Sequence, residues 1–243
     1  MEEILENWNL PQLCEFPQRR RTCNNCERPI KVCLCDVIPK EKLDHSTTVC
    51  ILQHPAEAYA AFRTTPILES CLRNVEIVNS HKLPPEWNEP QEEDLVLFPT
   101  DSAIPVGHIS RGNYRLFVID GTWSSAKTLY RKNGNFRDRR NVTIGQTNSQ
   151  SSVQSIPLFL LRKPPSNIAN AYCTAEAVAT ALYWLEQEEA NGIKIYHIIR
   201  NCIRHLCEKQ MQYISKDSLR HRRESQGYIE GLYEQWQTRY TQS

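Results

Sequence analysis

The segment FVIDGTW places four unlike residues, Asp120, Gly121, Thr122 and Trp123, directly after an apolar run. The run at 117–119 predicts a buried strand, and an open α/β sheet binds its ligands beyond the carboxyl ends of its strands. A carboxylate there can meet a ligand, a glycine permits close backbone approach, and a threonine can cap the next helix. The residue types leave two interpretations, a catalytic site or a simple helix cap.

Two further segments place polar residues at predicted strand ends. In ILQHPAE a strand leads into His54, and in LFPTDSA another leads into Pro99 and Thr100. A histidine at such a point can act as a general base or as a hydrogen-bonded structural residue. The sequence therefore predicts three strand exits that carry polar or conformationally special residues.

Four cysteines, Cys23, Cys26, Cys33 and Cys35, have the spacing C-x2-C-x6-C-x-C. Four thiolates within thirteen residues are typical of a closed structural Zn²⁺ site, with an iron–sulfur cluster or free thiols as alternatives. A zinc ion held by four cysteines has no open position for substrate, so its role is to fold a small knuckle.

The remaining cysteines and the start of the chain predict an intracellular protein with reduced thiols. The sequence does not distinguish a cytoplasmic from a nuclear location. The start, MEEILENWNL, lacks a signal-peptide pattern, and no apolar run approaches the ~20 residues of a membrane span. We expect the other six cysteines to be mostly core residues. They are Cys14, Cys50, Cys71, Cys173, Cys202 and Cys207.

Apolar runs that alternate with helical segments predict an α/β fold with a largely parallel sheet covered on both faces. The predicted strands are TVCILQ, VEIV, DLVLFP, YRLFVID, NVTI and PLFLLRK. The predicted helices are PAEAYAAFRTTPILESCL, WSSAKTLYRKN, CTAEAVATALYWLEQEEA and residues 193–211, and LPPEWNEPQEED is predicted as a surface loop. The chain has only eight glycines and lacks the glycine-rich motifs of dinucleotide-binding and P-loop sites.

Taken together, the segments CNNCERPIKVCLC, LQHPAEAYAAFRTTPILESCL, LFPTDSA, DGTWSSAK and CTAEAVATAL resemble the DTW-domain family of tRNA-uridine aminocarboxypropyltransferases. The resemblance implies a SPOUT-like α/β fold with a trefoil knot, preceded by the zinc knuckle. It divides the chain into a polar leader (1–22), the knuckle (23–45), a catalytic domain (46–228) and a tail (229–243).

The resemblance also implies a reaction. The 3-amino-3-carboxypropyl group of S-adenosylmethionine is transferred to N3 of a uridine in the tRNA D-loop, and methylthioadenosine is released. Catalytic roles then fall on Asp120, Thr122 and Trp123. The indole can hold the sulfonium cation, and the carboxylate can serve as general base or fix the donor's amino group.

Cofactor contacts are implied at nine positions that match the family's motifs. They are His54, Pro99, Thr100, Asp120, Trp123, Leu161, Arg162, Thr174 and Glu176. The sequence departs from the family pattern at Cys173, where serine is usual, and around Pro157.

Basic residues near Trp123 gain meaning if tRNA is the partner, although the net charge is only +1. Lys127 and Arg131 are four apart, which places them on one helix face. We expect phosphate contacts from five residues, Lys127, Arg131, Lys132, Arg137 and Arg140. Two other functions stay open: a methyltransferase with the same fold and cofactor, and a non-enzymatic, zinc-containing RNA-binding protein.

Overall fold

The structure is a computed structural model of the chain, and it describes residues 21–59, 63–144 and 172–212. Within them, six strands form one sheet. The strands are β1 (Thr48–Gln53), β2 (Val75–Asn79), β3 (Asp94–Leu97), β4 (Ile104–Pro105), β5 (Arg115–Asp120) and β6 (Arg140–Thr143). Their order is β2-β1-β5-β3-β6-β4, and every pair is parallel, which confirms the predicted α/β class.

In the described part of the chain, four α-helices cover the sheet. They are α1 (Thr65–Cys71), α2 (Trp123–Lys132), α3 (Thr174–Leu185) and α4 (Glu189–Met211). Neighbouring strand residues point to opposite faces, so Val49 and Ile51 pack with α1, α3 and α4, while Cys50 and Leu52 pack with α2. Both faces are covered, which explains why the strands are continuous apolar runs without alternation. None of the helices described is long and apolar enough to cross a bilayer.

Three predicted helices have clearly different bounds in the structure, and one of them is the helix predicted over 193–211, which begins four residues earlier at Glu189. The segment PAEAYAAFRTTPILESCL contains a 3-10 helix, Pro55–Tyr59, and then α1, which has Pro66 in its first turn. A proline is tolerated there because its missing N–H is not needed, whereas it would break a helix interior. The helix predicted to run on to Ala190 ends at Leu185.

Glu186 explains that early end. Its side chain is buried, and its carboxylate accepts hydrogen bonds from the Ser46 N–H at 3.1 Å and the Thr47 N–H at 3.3 Å. Because these amides precede β1, the glutamate ties the end of α3 to the start of the sheet. The chain then reverses into α4, where a Cβ on Gly192 would lie 2.9 Å from the Tyr183 carbonyl oxygen. Glycine is therefore required for this close approach.

Other differences from the prediction concern a short strand and a loop, and some predicted segments lie outside the described residues. β4 was not predicted, because a two-residue strand that contains a proline has no apolar pattern. The predicted surface loop contains a 3-10 helix, Pro85–Trp87, whose tryptophan is buried. The predicted strand PLFLLRK, the leader to residue 20 and the tail 229–243 lie outside the described residues.

A buried carboxylate joins β3 to two arginines. Asp94 accepts hydrogen bonds from Arg115 Nε at 2.7 Å and from Arg139 Nε at 2.6 Å. Burial alone would raise the pKa of this carboxyl, but the guanidinium hydrogen bonds outweigh it and hold the pKa below its ordinary value. The group therefore contributes stability in its ionised form.

We predict that Asp94→Asn lowers the free energy of unfolding at pH 7 by about 3 kcal/mol, because two guanidinium groups lose their carboxylate. The folded-state pKa is depressed, so this stability is present above the unfolded pKa of about 3.9 and is lost as pH falls through the folded value. Urea unfolding at pH 7 and at lower pH measures both effects. The exposed neighbour Glu93 supplies the control, Glu93→Gln. Equal stability of the two variants would contradict the prediction.

Candidate active site and metal centre

The four knuckle cysteines converge in space. Their Sγ atoms all lie within 4.8 Å of one another, with 3.5 Å between Cys23 and Cys35 and 3.6 Å between Cys26 and Cys33. Tetrahedral zinc with Zn–S bonds near 2.3 Å requires sulfur–sulfur distances of about 3.8 Å. Backbone N–H groups, first that of Cys26, lower the pKa of the Cys23 thiol to about 6. At Cys33 a backbone hydrogen bond from Cys35 is outweighed by burial and the neighbouring thiols, which raise the pKa to about 12, so this thiol would lose its proton only on metal binding. The donor set therefore fits a closed four-sulfur metal site.

The knuckle is attached to the main domain. Leu34 lies between the last two cysteines, is fully buried and belongs to the same core cluster as α1, α3 and α4. Lys209 in α4 donates a hydrogen bond to the Cys33 carbonyl oxygen. A metal that orders this segment would consequently also order part of the domain core.

Asp120 lies at the carboxyl edge of the sheet, where β1 and β5 end together. Its Oδ2 accepts a hydrogen bond from Gln53 Nε2 at 2.6 Å, and its Oδ1 accepts one from the Thr174 hydroxyl. The structure thus brings together two of the predicted residues, Asp120 and Thr174. Gln53 lies in the predicted strand exit ILQHPAE but was assigned no role there, although an amide at the end of an apolar strand was a usable signal.

The turn after Asp120 has little free space. A Cβ on Gly121 would lie 3.2 Å from Ser125 Cβ and 3.5 Å from His54 Cβ, so the two strand exits are close together. Thr122 caps α2 as predicted, because its Oγ1 accepts a hydrogen bond from the Ser125 N–H at 3.2 Å. The cap fixes the start of the helix at Trp123.

A cavity of about 300 Å³ opens beside this turn. Its wall is mostly apolar, and its size is at the lower end of the range for small-molecule sites. Three of the predicted cofactor residues, Pro99, Trp123 and Thr174, line it. Asp120 itself does not line the cavity, but its chain neighbours Ile119 and Gly121 do, and its carboxylate contacts the lining residue Thr174. The other lining residues include Leu97, Phe98, Gly121, Val142, Ile144 and Tyr172.

The other predicted cofactor residues are placed differently. His54 lies after β1, where its backbone N–H donates to the Asp120 carbonyl oxygen at 2.8 Å, and Thr100 lies after β3. Neither side chain lines the cavity. Leu161 and Arg162 lie outside the described residues, as does Pro157. Contacts from these residues to a cofactor stay predictions.

Glu176 is buried and caps α3. Its carboxylate accepts a hydrogen bond from the Cys173 N–H at 3.0 Å and is 4.0 Å from Arg200 Nη1 in α4. Burial raises the pKa of the Cys173 thiol well above its usual value, so this thiol stays protonated at neutral pH. The glutamate holds the turn that presents Thr174 to Asp120, and Cys173 occupies the N-cap position of α3.

The basic residues divide into exposed and buried ones. Five are exposed on α2 and on the chain that leads into β6: Lys127, Arg131, Lys132, Arg137 and Arg140. By contrast, Arg139 is buried against Asp94. The exposed residues are sterically available to a phosphate backbone, and Arg139 is structural.

The fold and site define an α/β protein with a ligand cavity at the strand ends and a four-cysteine knuckle. Residues 20–211 match the DTW domain model, and the chain belongs to the DTW domain family. It is 31% identical over 220 residues to tRNA-uridine aminocarboxypropyltransferase 2 of Mus musculus, covering 85% of this chain and 68% of the relative. The matching enzyme of Macaca fascicularis is 30% identical with the same coverage.

A plant relative, tRNA-uridine aminocarboxypropyltransferase A of Arabidopsis thaliana, is 28% identical over 216 residues. That alignment covers 76% of this chain and 81% of the relative. No solved structure shows a significant match to this chain. These three relatives are all named tRNA-uridine aminocarboxypropyltransferases.

Proposed function

We propose that the protein is a tRNA-uridine aminocarboxypropyltransferase that uses S-adenosylmethionine as donor and modifies a D-loop uridine. The observation that carries the proposal is the carboxylate of Asp120, held by Gln53 and Thr174 next to a cavity that Thr174 and Trp123 line. Membership of the DTW family and the names of the relatives support the same reaction.

The reaction is a substitution at carbon. The uridine N3 attacks the Cγ of the donor's methionine part, an N–C bond forms, and the C–S bond breaks. The electron pair of that bond goes to sulfur, so neutral methylthioadenosine leaves, and the N3 proton goes to a base. Because the methyl carbon is bonded to the same sulfur, the site must orient the donor so that Cγ, and not the methyl group, faces the uridine.

The residues at the cavity are suited to this task. An indole face attracts a cation, so Trp123 is placed to hold the sulfonium, and the apolar wall excludes water from it. Asp120 brings the negative charge. That charge can accept the N3 proton or bind the donor's ammonium group, and each role predicts a different effect of removing it.

The exposed cations of α2 adjoin the turn at Trp123, so we propose that this helix contacts the tRNA backbone. Lys127 and Arg131 share a face and lie one to two turns from the site. The target base must leave its stack to reach the donor, and phosphate contacts would hold the loop while it does so. The four-cysteine knuckle would carry a structural zinc ion in this enzyme.

We predict that the double variant Lys127→Ala, Arg131→Ala weakens binding of tRNAs regardless of their sequence. The slope of log Kd against log salt concentration should fall by about 1.4 to 2, because each lost phosphate contact lowers that slope by about 0.7 to 1. Filter binding over a range of salt concentrations measures this. Two exposed lysines away from α2 supply the control: Lys42 precedes β1, and Lys194 lies on α4. Their double alanine variant removes the same charge from a different surface. An equal loss in both double variants would contradict a specific role for α2.

Donor labelling separates the proposed function from its alternatives. With carboxyl-labelled S-adenosylmethionine and unmodified tRNA, label should enter the tRNA, whereas with methyl-labelled donor it should stay in the small-molecule fraction. The reverse pattern would identify a methyltransferase. No transfer of either label, with tRNA still bound, would support a binding protein without catalysis.

A further inference from the structure

Gln53 is a buried amide that contacts the carboxylate of Asp120 but lies away from the cavity wall. It is 3% exposed and is the last residue of β1, directly paired with Asp120 at the end of β5. Its Nε2 donates to Asp120 Oδ2 at 2.6 Å and to Thr65 Oγ1 at 3.0 Å. Both hydrogens of the amide nitrogen are therefore committed.

These two hydrogen bonds fix the orientation of the amide. A reversed side chain would place Oε1, an acceptor, against the carboxylate of Asp120, and two acceptors repel each other. Thr65, in the first turn of α1 and itself buried, holds the amide from the other side. Gln53 thus connects α1, β1 and β5 through one nitrogen atom.

The carboxylate of Asp120 is held at both oxygens. Thr174 at the start of α3 donates to Oδ1, and Gln53 donates to Oδ2. An apolar side chain would satisfy the packing needs of a buried strand end, as Leu52 does one residue earlier. The presence of an amide at position 53 is explained by what it does for the carboxylate.

We propose that Gln53 is a positioning residue that orients the Asp120 carboxylate beside Thr174, which lines the cavity. The inference rests on the proposed function, because it gives Gln53 a role in that same reaction. Gln53 does not touch the reacting atoms. It acts by holding one oxygen of Asp120 so that the carboxylate keeps a single geometry relative to Thr174 and the cavity.

The near-isosteric variant Gln53→Glu tests this, because it replaces the donor with a second carboxylate. Two carboxylates that share a site cannot both ionise at ordinary pH, so the acid limb of the pH–rate profile should move to higher pH. Other titratable groups lie on the surrounding segments and are unchanged in the variant. They are His54, Glu57, His81, Asp101 and Glu176. A shift relative to wild type is therefore attributable to position 53.

The expected result is a shift of the acid limb of kcat/KM for S-adenosylmethionine by at least about one pH unit, with methylthioadenosine formation as the assay. A Gln53→Glu profile that overlays the wild-type profile would overturn the proposal. If the wild type itself forms no methylthioadenosine, the proposed function fails instead, so the two failures are distinguishable.

A second variant covers the case in which Gln53→Glu does not fold. Gln53→Met keeps the side-chain length but removes the donor, and it should lower kcat at least about tenfold while the circular dichroism spectrum stays native. Retained kcat in this variant would overturn the proposal. A methionine variant that also fails to fold would assign Gln53 to folding and would overturn it equally.

Discussion

Asp120→Asn should lower kcat by about 100-fold to 10,000-fold, the range that is typical for the loss of a group that transfers a proton in the transition state. Asparagine keeps the size of the side chain, and its carbonyl oxygen can still accept a hydrogen bond from Gln53 or Thr174. The variant therefore removes the charge with little change in packing. Formation of methylthioadenosine under saturating donor and tRNA measures kcat.

The same variant distinguishes the two roles of the carboxylate. If Asp120 accepts the N3 proton, kcat falls while the Kd for S-adenosylmethionine, measured by calorimetry, stays within about threefold. If it binds the donor's ammonium group, the Kd rises about tenfold or more, because a charge-assisted hydrogen bond is lost. Asp101→Asn, at an exposed position after β3, is the matched control. Full turnover by Asp120→Asn together with an unchanged Kd for S-adenosylmethionine would remove Asp120 from the mechanism.

The second large effect is expected at the knuckle. Replacing Cys26 and Cys33 by serine should reduce bound zinc from one per chain to none, because serine does not replace a thiolate as a zinc ligand. Metal binding free energy is folding free energy in such segments, so the knuckle should unfold as well. Leu34, which lies beside Cys33 and is buried in the main core, would lose its anchor. Metal analysis and thermal unfolding measure the two effects.

Cys207 provides the matched control for the knuckle variant. It is a buried cysteine of α4 outside the cluster, so Cys207→Ala should keep the full metal content. Unchanged zinc in the double serine variant would refute the metal site. Zinc loss without any change in unfolding temperature would show that the knuckle folds independently of its metal.

The strand exits were predictable because buried parallel strands have a strong local signal. In FVIDGTW an apolar run, residues 117–119, ends in the carboxylate of Asp120. The end of a parallel strand is where an α/β sheet binds its ligands. The cysteine cluster was also predictable from a local pattern, because its spacing is short enough for one segment to supply all four ligands. Local patterns thus fixed both candidate sites.

Contacts between distant segments were not predictable in the same way. Gln53 and Asp120 are partners only because β1 and β5 pair in one register, and a single sequence does not contain that register. Arg139 and its neighbours Arg137 and Arg140 look alike in sequence, but only Arg139 meets the buried Asp94. The early end of α3 likewise depends on Glu186 reaching amides about 140 residues away.

The account is tested most directly by mass spectrometry of both products after the purified protein is incubated with S-adenosylmethionine and unmodified tRNA. We predict methylthioadenosine among the small molecules and, in digested tRNA, a uridine from the D-loop that has gained an aminocarboxypropyl group. S-adenosylhomocysteine together with a methylated nucleoside would contradict the account, as would unmodified tRNA beside unconsumed donor.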